Sequence, residues 1–566
     1  MQDAQARSLI RETLTQPFDK ERFQQFIHNL LNHVDESKAT RWNKTYVKDA
    51  FKPRIKKFER LATYTDPQGE SLDVLIIHLE RESSLERART SLRNFAADYL
   101  TTGHGQDKSA VLAAFVSPDP IDWRFSFVKL EYEAAADDSG RIRVSESLSP
   151  ARRYSFLVGA NEHSHTAQKQ FLPLLEQDDG DPSLADIEKA FDIEKVTKEF
   201  FLRYKDLFET VRDALNKSLK RNAAIREDFD KKGIEADDFA KKLLGQIVFL
   251  YFLQKKGWFG VERGEEWGTG NKKFLRYLFD NRAKLRARAE RSARRPVNFF
   301  NDVLEHLFYD ALARERDDDY YPRFDCRIPF LNGGLFEPLF GYDWVNTEIL
   351  LADELFSNTE TTREGDTGTG ILDVFDRFNF TVNEAEPLER EVAVDPEMLG
   401  KVFENLLPEN LRHKGGTYYT PRPIVNYMCQ QSLINYLSTH LPDISRDEIE
   451  TFIRIGYAQA DFEAGGTEKH KDKFLAESIS GSAKTIDKLL EDITVCDPAI
   501  GSGAFPVGMM QEIVRAREAL TAVEGMPSRT AYELKRHAIQ NSLYGVDIDP
   551  RGGRDCQAAI MAVACC

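Results

Sequence analysis

The stretch that decides the fold of the C-terminal part of the chain is ITVCDPAIGSGAFP, residues 493–506. Its apolar beginning predicts a short buried strand, and its Asp-Pro and two glycines predict a tight loop. The residues from there to about Glu518 predict a helix, and a second apolar run, Ser542 to Ile548, predicts another strand. We therefore expect a βα…β unit of a doubly wound parallel sheet, which binds ligands at the carboxyl ends of its strands.

The loop after the first strand has the composition of a ligand site. Gly501 and Gly503 allow the backbone to approach a ligand closely, and the helix that follows offers free N–H groups. Asp497 leads the loop, and its carboxylate suits a cationic ligand better than a phosphate. The third glycine of GxGxxG is missing, and no lysine follows that would complete GxxxxGK[ST]. A dinucleotide and ATP are therefore disfavoured.

Two further motifs flank this loop. In YGVDIDP (residues 544–550), Asp547 ends the second strand, where it can accept hydrogen bonds from ribose hydroxyls. Ile548 beside it is suited to pack on an adenine face. Upstream, GTYYTP (residues 416–421) offers hydroxyls, backbone N–H groups and aromatic rings that suit an amino-acid carboxylate and a sulfonium. Either glycine loop alone is compatible with a plain βα turn, but the two in this order favour a ligand site.

In this order, GTYYTP, DPAIGSGAF and YGVDID resemble the N6-adenine DNA methyltransferases whose cofactor motifs precede the catalytic loop. More narrowly, they resemble Type IIG-like restriction-modification and phage-defence enzymes, and PFLNGGLF (329–336) and DPEMLGKVFENLL (395–407) fit that group. The resemblance implies S-adenosylmethionine as cofactor, double-stranded DNA as partner of the intact protein, and methyl transfer to the exocyclic amine of adenine. It assigns to the cofactor Thr417, Tyr418, Thr420, Pro421, Asp497, Pro498, Ala499, Gly501, Gly503, Phe505, Asp547 and Ile548.

The catalytic loop of that family, Asn/Asp-Pro-Pro followed by an aromatic residue, does not occur in the sequence. In the family this loop holds the target amine and stacks on the flipped adenine. The final residues, 552–566, carry three of the six cysteines and differ from the amphipathic helix expected there. We therefore assign no catalytic residue and expect a truncated or frameshifted, inactive chain. The alternatives are a natural short form, a non-catalytic cofactor- or DNA-binding fragment, and a methyltransferase with a different substrate class.

Residue patterns divide the rest of the chain and predict the fold class α/β. We expect an N-terminal mixed α/β domain over 1–170, a helical domain over 183–405 and a partial Rossmann-like methyltransferase domain over 408–566. The strands and helices predicted from apolar spacing are strands at 72–79, 111–116, 124–132 and 141–145 and helices at 18–34, 84–100, 237–256 and 424–441.

The N-terminal domain raises the question of a nuclease. Asp73 and Glu80 share one predicted strand, and nuclease sites use such carboxylates to hold Mg²⁺. The acid-x-Lys pattern is missing, however, because Glu80 is followed by Arg81 and Glu82. The sequence therefore favours a DNA-binding or structural role over a nuclease.

Composition limits the possible partners. The net charge of 77 − 93 = −16 argues against general nucleic-acid binding, but residues 272–295 carry ten Lys/Arg against two acids. That basic island is either a phosphate-binding stripe or a solvated helix face. No apolar run of about 18 residues and no signal peptide occur, so we expect no membrane contact. Six cysteines without a CxxC pair indicate a reducing cytoplasm and no metal site. The sequence leaves the oligomeric state open.

Overall fold

The computed structural model has a mixed α/β fold. The residues that it describes are 2–49, 51–80, 89–101, 104–130, 134–136, 142–144, 151–176, 180–289, 295–331, 334–362, 366–381, 389–396, 420–464, 475–501, 503–521 and 523–546. The strands are β1 (Thr40–Trp42), β2 (Ile55–Thr65), β3 (Ser71–Leu79), β4 (Ala110–Val116), β5 (Asp122–Leu130), β6 (Ala134–Ala136), β7 (Ile142–Val144), β8 (Ala151–Gly159), β9 (Tyr320–Tyr321), β10 (Cys326–Arg327), β11 (Glu389–Glu391), β12 (Val495–Asp497) and β13 (Leu543–Gly545).

Helices make up most of the remaining described chain. The α-helices are α1 (Asp3–Leu14), α2 (Lys20–Leu31), α3 (Arg89–Thr101), α4 (His165–Leu175), α5 (Leu184–Lys189), α6 (Ile193–Arg221), α7 (Ala223–Lys232), α8 (Ala236–Lys255), α9 (Phe274–Ala289), α10 (Ile371–Phe375), α11 (Arg422–His440), α12 (Arg446–Ala464), α13 (Glu477–Gly481), α14 (Ala483–Asp492), α15 (Ala504–Thr521) and α16 (Ala531–His537). The segments Phe300–Leu304, Leu307–Ala311 and Ala538–Ser542 are π-helical, and the 3₁₀ helices are Lys44–Tyr46, Gly334–Phe336, Leu339–Gly341 and Asp353–Leu355.

A seven-stranded mixed sheet organises the N-terminal part, in the order β1-β2-β3-β4-β5-β8-β11. The pairs β3/β4 and β8/β11 are parallel, and the other neighbours are antiparallel. Helix α3 connects β3 to β4, which explains how these consecutive strands can run parallel. Strand β4 is buried along its whole length and β3 along nearly all of it, as expected for central strands covered on both faces.

The strongly apolar predictions agree with these elements. Strands β3, β4, β5 and β7 lie at the predicted places, as do helices α2, α3, α8 and α11. Strands β2 and β8 were not predicted from the sequence. The helix expected to begin at Asp395-Pro396 lies, from residue 397 on, outside the described residues.

The hydrophobic core of the N-terminal sheet continues into the helical region. One cluster of buried apolar side chains extends from Ala6 to Val394, and a separate cluster covers Val425 to Leu520. Strand β11, which follows the helical region in sequence, completes the sheet beside β8. The buried ion pair Arg124–Glu391, at 3.1 Å, links β5 to β11 across that edge. The predicted domain boundary at residues 170–183 stays a prediction. Residues on both sides of it belong to the same hydrophobic core.

The basic island at 272–295 is partly used inside the protein. Arg276 bonds to Asp373 and Asp376, Arg282 to Asp353, and Arg295 to Asp302 and Glu348; the distances lie between 2.6 and 3.2 Å. For these three arginines both sequence interpretations, a phosphate stripe and a solvated face, are wrong. Arg276 and Arg282 attach α9 to the acidic 353–376 region, and Arg295 joins the segment after α9 to Asp302 and Glu348.

Across the part of the chain that the structure describes, no helix is both long enough and apolar enough to span a bilayer.

Candidate cofactor site

The two strands predicted to carry the site are neighbours. Strands β12 and β13 pair in parallel, with Asp497 opposite Gly545. Helix α15 begins at Ala504, directly after the glycine loop. The strand–loop–helix prediction for this stretch is therefore confirmed, although both strands are shorter than expected. Because parallel strands end at the same edge of a sheet, Asp497 and the end of β13 lie next to each other at that edge.

The loop between β12 and α15 has a conformation that requires glycine. Gly501 has φ 49° and Gly503 has φ 85°, both in the left-handed region that side chains disfavour. Ile500 N donates to Val546 O at 3.0 Å, and Val546 N donates to Asp497 O at 2.9 Å. These two bonds attach the loop to the end of β13.

Asp497 has one satisfied and one unsatisfied carboxylate oxygen. Its Oδ1 accepts a hydrogen bond from Ala499 N at 3.0 Å, which shapes the turn. Its Oδ2 is buried and has no hydrogen-bond partner among the described residues. A buried carboxylate oxygen without a donor costs free energy. This geometry therefore suits a ligand that brings a cationic or N–H group to Oδ2.

Helix α11, which follows Thr420 and Pro421, packs closely on α15. A Cβ on Gly508 would lie 2.7 Å from Val425 Cγ1, so the small residue is what allows the helices to approach. The Cys429 thiol donates to Phe505 O at 3.8 Å. These contacts hold the start of α11 near the N-terminal turn of α15.

A buried polar contact adds to this helix pair. Gln430 Nε2 donates to Glu512 Oε2 at 3.1 Å, and Arg515 bonds to the other oxygen of Glu512 at 2.7 Å. Burial raises the pKa of Glu512, against the opposing effects of Arg515 and Gln430. Burial, with the nearby carboxylates of Glu512 and Asp497, raises the pKa of the Cys429 thiol to about 12. Cys429 is thus a neutral thiol and no nucleophile at physiological pH.

Eight of the twelve residues assigned to the cofactor are described. Pro498 and Ala499 are exposed in the loop, Gly503 is buried beneath it, and Phe505 is partly buried against the apolar cluster of this region. Thr417, Tyr418, Asp547 and Ile548 lie outside the described residues. The role of every one of the twelve in cofactor binding stays a prediction.

Sequence reasoning missed the residues that hold the site together. Gly508 and Glu512 lie one turn apart on α15, and Gln430 faces them from α11, some eighty residues earlier in the sequence. One signal was present, since a glycine inside a helix costs about 1 kcal/mol relative to alanine and often marks a close packing contact. Nothing in the sequence marked Glu512, because the sequence of a helix does not show whether a glutamate is buried or exposed.

Asp73 and Glu80, the acids of the N-terminal sheet, each bond to other side chains of the protein. Asp73 is fully buried and accepts hydrogen bonds from Thr63, Tyr99 and Arg60 at 2.6, 2.5 and 3.0 Å. Glu80 forms an ion pair with Lys44 at 2.5 Å. Within the described residues, no three His, Cys, Asp or Glu side chains form a group that could hold a metal ion. The contacts of Asp73 thus favour the structural role over Mg²⁺ binding.

Comparison with known proteins gives one distant relative. The chain is 24% identical over 383 residues to a Methanocaldococcus jannaschii protein named "Putative type II restriction enzyme and methyltransferase". The match covers 63% of this chain and 28% of the length of that protein. No protein-family model matches the chain, and no solved structure matches it. The chain is therefore similar to part of a restriction-modification methyltransferase.

Proposed function

We propose that this chain carries the cofactor-binding region of an adenine-specific DNA methyltransferase of a restriction-modification or phage-defence system. The observation that carries the proposal is the Asp497 loop at the carboxyl ends of β12 and β13. The loop combines a left-handed glycine backbone with a buried carboxylate oxygen that has no donor among the described residues. The motif order in the sequence and the distant relative support the same class.

The chemistry of the loop fits S-adenosylmethionine, which would supply an activated methyl group on a sulfonium. In the proposed arrangement, Asp497 Oδ2 accepts a hydrogen bond from the amino group of the methionine part. Asp547 accepts from the ribose diol, and Thr417 and Thr420 contact the amino-acid carboxylate. A nucleotide triphosphate fits less well because its phosphates would face the Asp497 carboxylate.

Binding of S-adenosylmethionine to the 566-residue chain, measured by calorimetry, tests the proposal. Asp497→Asn keeps the size of the side chain but removes its charge, which costs about 1.5–3 kcal/mol for a charge-assisted hydrogen bond. We expect the affinity to fall at least tenfold, since about 1.4 kcal/mol corresponds to tenfold. Asp492→Asn is the matched control, because Asp492 is an exposed carboxylate at the end of α14.

Three results separate the possibilities. Saturable binding that Asp497→Asn weakens and Asp492→Asn preserves supports the proposal. ATP binding as well as S-adenosylmethionine, or equal effects of the two variants, contradicts the role of Asp497. No saturable binding to the unaltered chain contradicts the cofactor proposal itself.

A second candidate function is favoured by one observation. The sequence contains no Asn/Asp-Pro-Pro-aromatic loop, which in the resembled family holds the target amine. A chain with this sequence would bind cofactor or DNA without transferring a methyl group. Cofactor binding in the calorimetric experiment, together with no methyl transfer, distinguishes this candidate from an active enzyme.

A further inference from the structure

The segment 38–57, at the edge of the N-terminal sheet, is strongly basic although the whole chain carries a net charge of −16. It contains eight Lys/Arg and the single acid Asp49. The basic residues are Lys38, Arg41, Lys44, Lys48, Lys52, Arg54, Lys56 and Lys57. The question is which of these charges the fold neutralises.

Four of the eight charges have partners inside the protein. These ion pairs, at 2.5–2.9 Å, are Arg41–Glu59, Lys44–Glu80, Lys48–Asp98 and Lys52–Asp49. The other four, Lys38, Arg54, Lys56 and Lys57, form no ion pair within the described chain. The three lysines are exposed, and Arg54 is partly exposed. Arg54, Lys56 and Lys57, which lie together at or just before the start of β2, are therefore open to an external anion.

An irregularity in the sheet brings the two lysines together. The register between β2 and β3 passes from Ile55 opposite Leu79 to Lys57 opposite His78, so Lys56 is an extra residue in β2. A β-bulge of this kind bends the strand and re-aims its side chains. Strand β1 pairs with β2 only from Phe58 onward. Lys56 and Lys57 therefore lie on a length of β2 that β1 leaves uncovered.

His78, which faces Lys57 across the β2/β3 pair, lies close to these charges. Its pKa is lowered to about 4, first by burial and then by the charges of Lys57, Lys20 and Lys56, against the opposing charge of Glu59. Lys56 and Lys57 therefore add positive charge beside this part of β3.

Neighbouring groups extend the same surface. Glu80 N donates to Arg54 O, and Lys44 forms its ion pair with the Glu80 side chain. Lys44 and Arg54 are thus close to one another. Tyr46, in the 3₁₀ helix after β1, is 65% exposed and has a hydroxyl that can donate to a phosphate. We call Tyr46, Arg54, Lys56 and Lys57 the basic edge; Lys44 lies beside it and is already paired with Glu80.

We propose that the basic edge binds the phosphate backbone of double-stranded DNA without reading its sequence. This inference rests on the proposed function, which makes DNA the partner. Cations without internal partners release condensed counterions when they meet phosphates, and this release drives such binding. Exposed lysines on an edge strand also prevent strand-to-strand aggregation, and that simpler role predicts no effect on DNA binding.

The test measures binding of a labelled 30-base-pair duplex by fluorescence anisotropy across a range of salt concentrations. The test variant is Lys56→Gln/Lys57→Gln. Its control is Lys205→Gln/Lys217→Gln, which removes two exposed lysines of α6 that form no ion pair within the described chain. Both variants change the net charge equally, and thermal unfolding checks that both remain folded.

We expect the Lys56/Lys57 variant to bind DNA at least tenfold more weakly at 0.1 M salt, and the control to bind as the unaltered chain does. The slope of log K against log salt should fall by about 1.8, at about 0.9 for each phosphate that is no longer neutralised. Equal loss in both variants, no loss in either, or no DNA binding by the unaltered chain overturns the inference. So does a loss of binding to phosphatidylserine vesicles with DNA binding unchanged. The cofactor titration is independent of these outcomes, so it tests the proposed function separately.

Discussion

The side chain of Ile500 packs directly on Gly545 and so joins the two halves of the candidate cofactor site. A Cβ on residue 545 would lie 2.8 Å from Cγ1 and 3.0 Å from Cβ of Ile500, and closer still to Cδ1. No side chain fits there unless Ile500 moves. Ile500 also donates its N–H to Val546 O, one residue after Gly545. The glycine loop and the end of β13 therefore form one unit.

Gly545→Ala should weaken binding of S-adenosylmethionine. The added methyl group has to displace Ile500 and the loop, and overpacking of this kind costs about 1–3 kcal/mol. That corresponds to roughly five- to 150-fold in affinity, measured by calorimetry. Gly481→Ala is the matched control, because no atom would lie within 4 Å of its added Cβ.

The double variant Gly545→Ala/Ile500→Ala distinguishes loss of this contact from a general loss of folding. Ile500→Ala removes the side chain that Gly545→Ala would strike, so the double variant should bind the cofactor better than Gly545→Ala alone. If the double variant binds as weakly as the single one, the contact does not position the loop.

The local pattern around this site was sufficient to predict its strands, loop and helix. The run ITVCDPAIGSGAFP combines β-branched residues, an Asp-Pro turn and two glycines, and each acts on its own neighbours in sequence. The contact between Ile500 and Gly545 was not predictable, because it depends on how two distant strands pair. The same applies to β11, which enters the N-terminal sheet after more than two hundred residues of intervening chain. Sequence patterns therefore predict elements better than they predict partners.

The 566-residue chain should not methylate DNA. The sequence has no Asn/Asp-Pro-Pro-aromatic loop, and such a loop would hold the target amine and stabilise the charge that develops on it. The measurement is transfer of label from S-adenosylmethionine to mixed-sequence duplex DNA. Transfer of one methyl group or more per chain contradicts this expectation.

Asp73→Ala should destabilise the protein without changing its response to Mg²⁺. The substitution leaves Arg60 without the carboxylate that it bonds to at 3.0 Å, next to Thr63 and Tyr99. Breaking a buried ion pair costs about 3–5 kcal/mol, measured by urea unfolding. Glu80→Gln, on a far less buried ion pair with Lys44, should cost at most about 1 kcal/mol. Loss of Mg²⁺ binding at unchanged stability would indicate a metal site at Asp73 instead.

Glu391→Ala should weaken the attachment of β11 to the sheet. Arg124 and Glu391 have side chains that are 0% and 3% exposed, so removal of the carboxylate takes a charged acceptor away from a buried guanidinium. We expect a loss of about 3–5 kcal/mol in the free energy of unfolding and a smaller loss for Glu391→Gln, which keeps an acceptor. Glu227→Ala, which removes a surface ion pair, serves as control. Equal unfolding midpoints for Glu391→Ala and Glu227→Ala contradict this account.

His163 and His165 should affect the pH dependence of stability in opposite directions, although they are two residues apart. Burial lowers the pKa of His163 to about 4, helped by Lys273, Lys255 and Arg276 against Asp376. Burial also opposes the charging of His165, but hydrogen bonds and charges of Asp366 and Glu199 outweigh it and raise its pKa above the ordinary 6.5. His165 Nε2 lies 3.0 Å from Glu199 Oε1, and Nδ1 lies 3.6 Å from Asp366 Oδ1.

The sign of each effect follows from which state binds the proton more tightly. The folded state binds a proton at His165 more tightly than the unfolded state, so its contribution is complete below pH 6.5 and is lost as the pH rises through the folded pKa. At His163 the unfolded state binds the proton more tightly, so the contribution present above pH 6.5 is lost as the pH falls toward 4. Urea unfolding of His163→Gln and His165→Gln at pH 4–9 measures both. Each variant should have a lower free energy of unfolding than the unaltered chain. For His165→Gln this difference should shrink at alkaline pH, and for His163→Gln it should shrink at acid pH. Deficits that change with pH in the same direction contradict the opposite environments of the two rings.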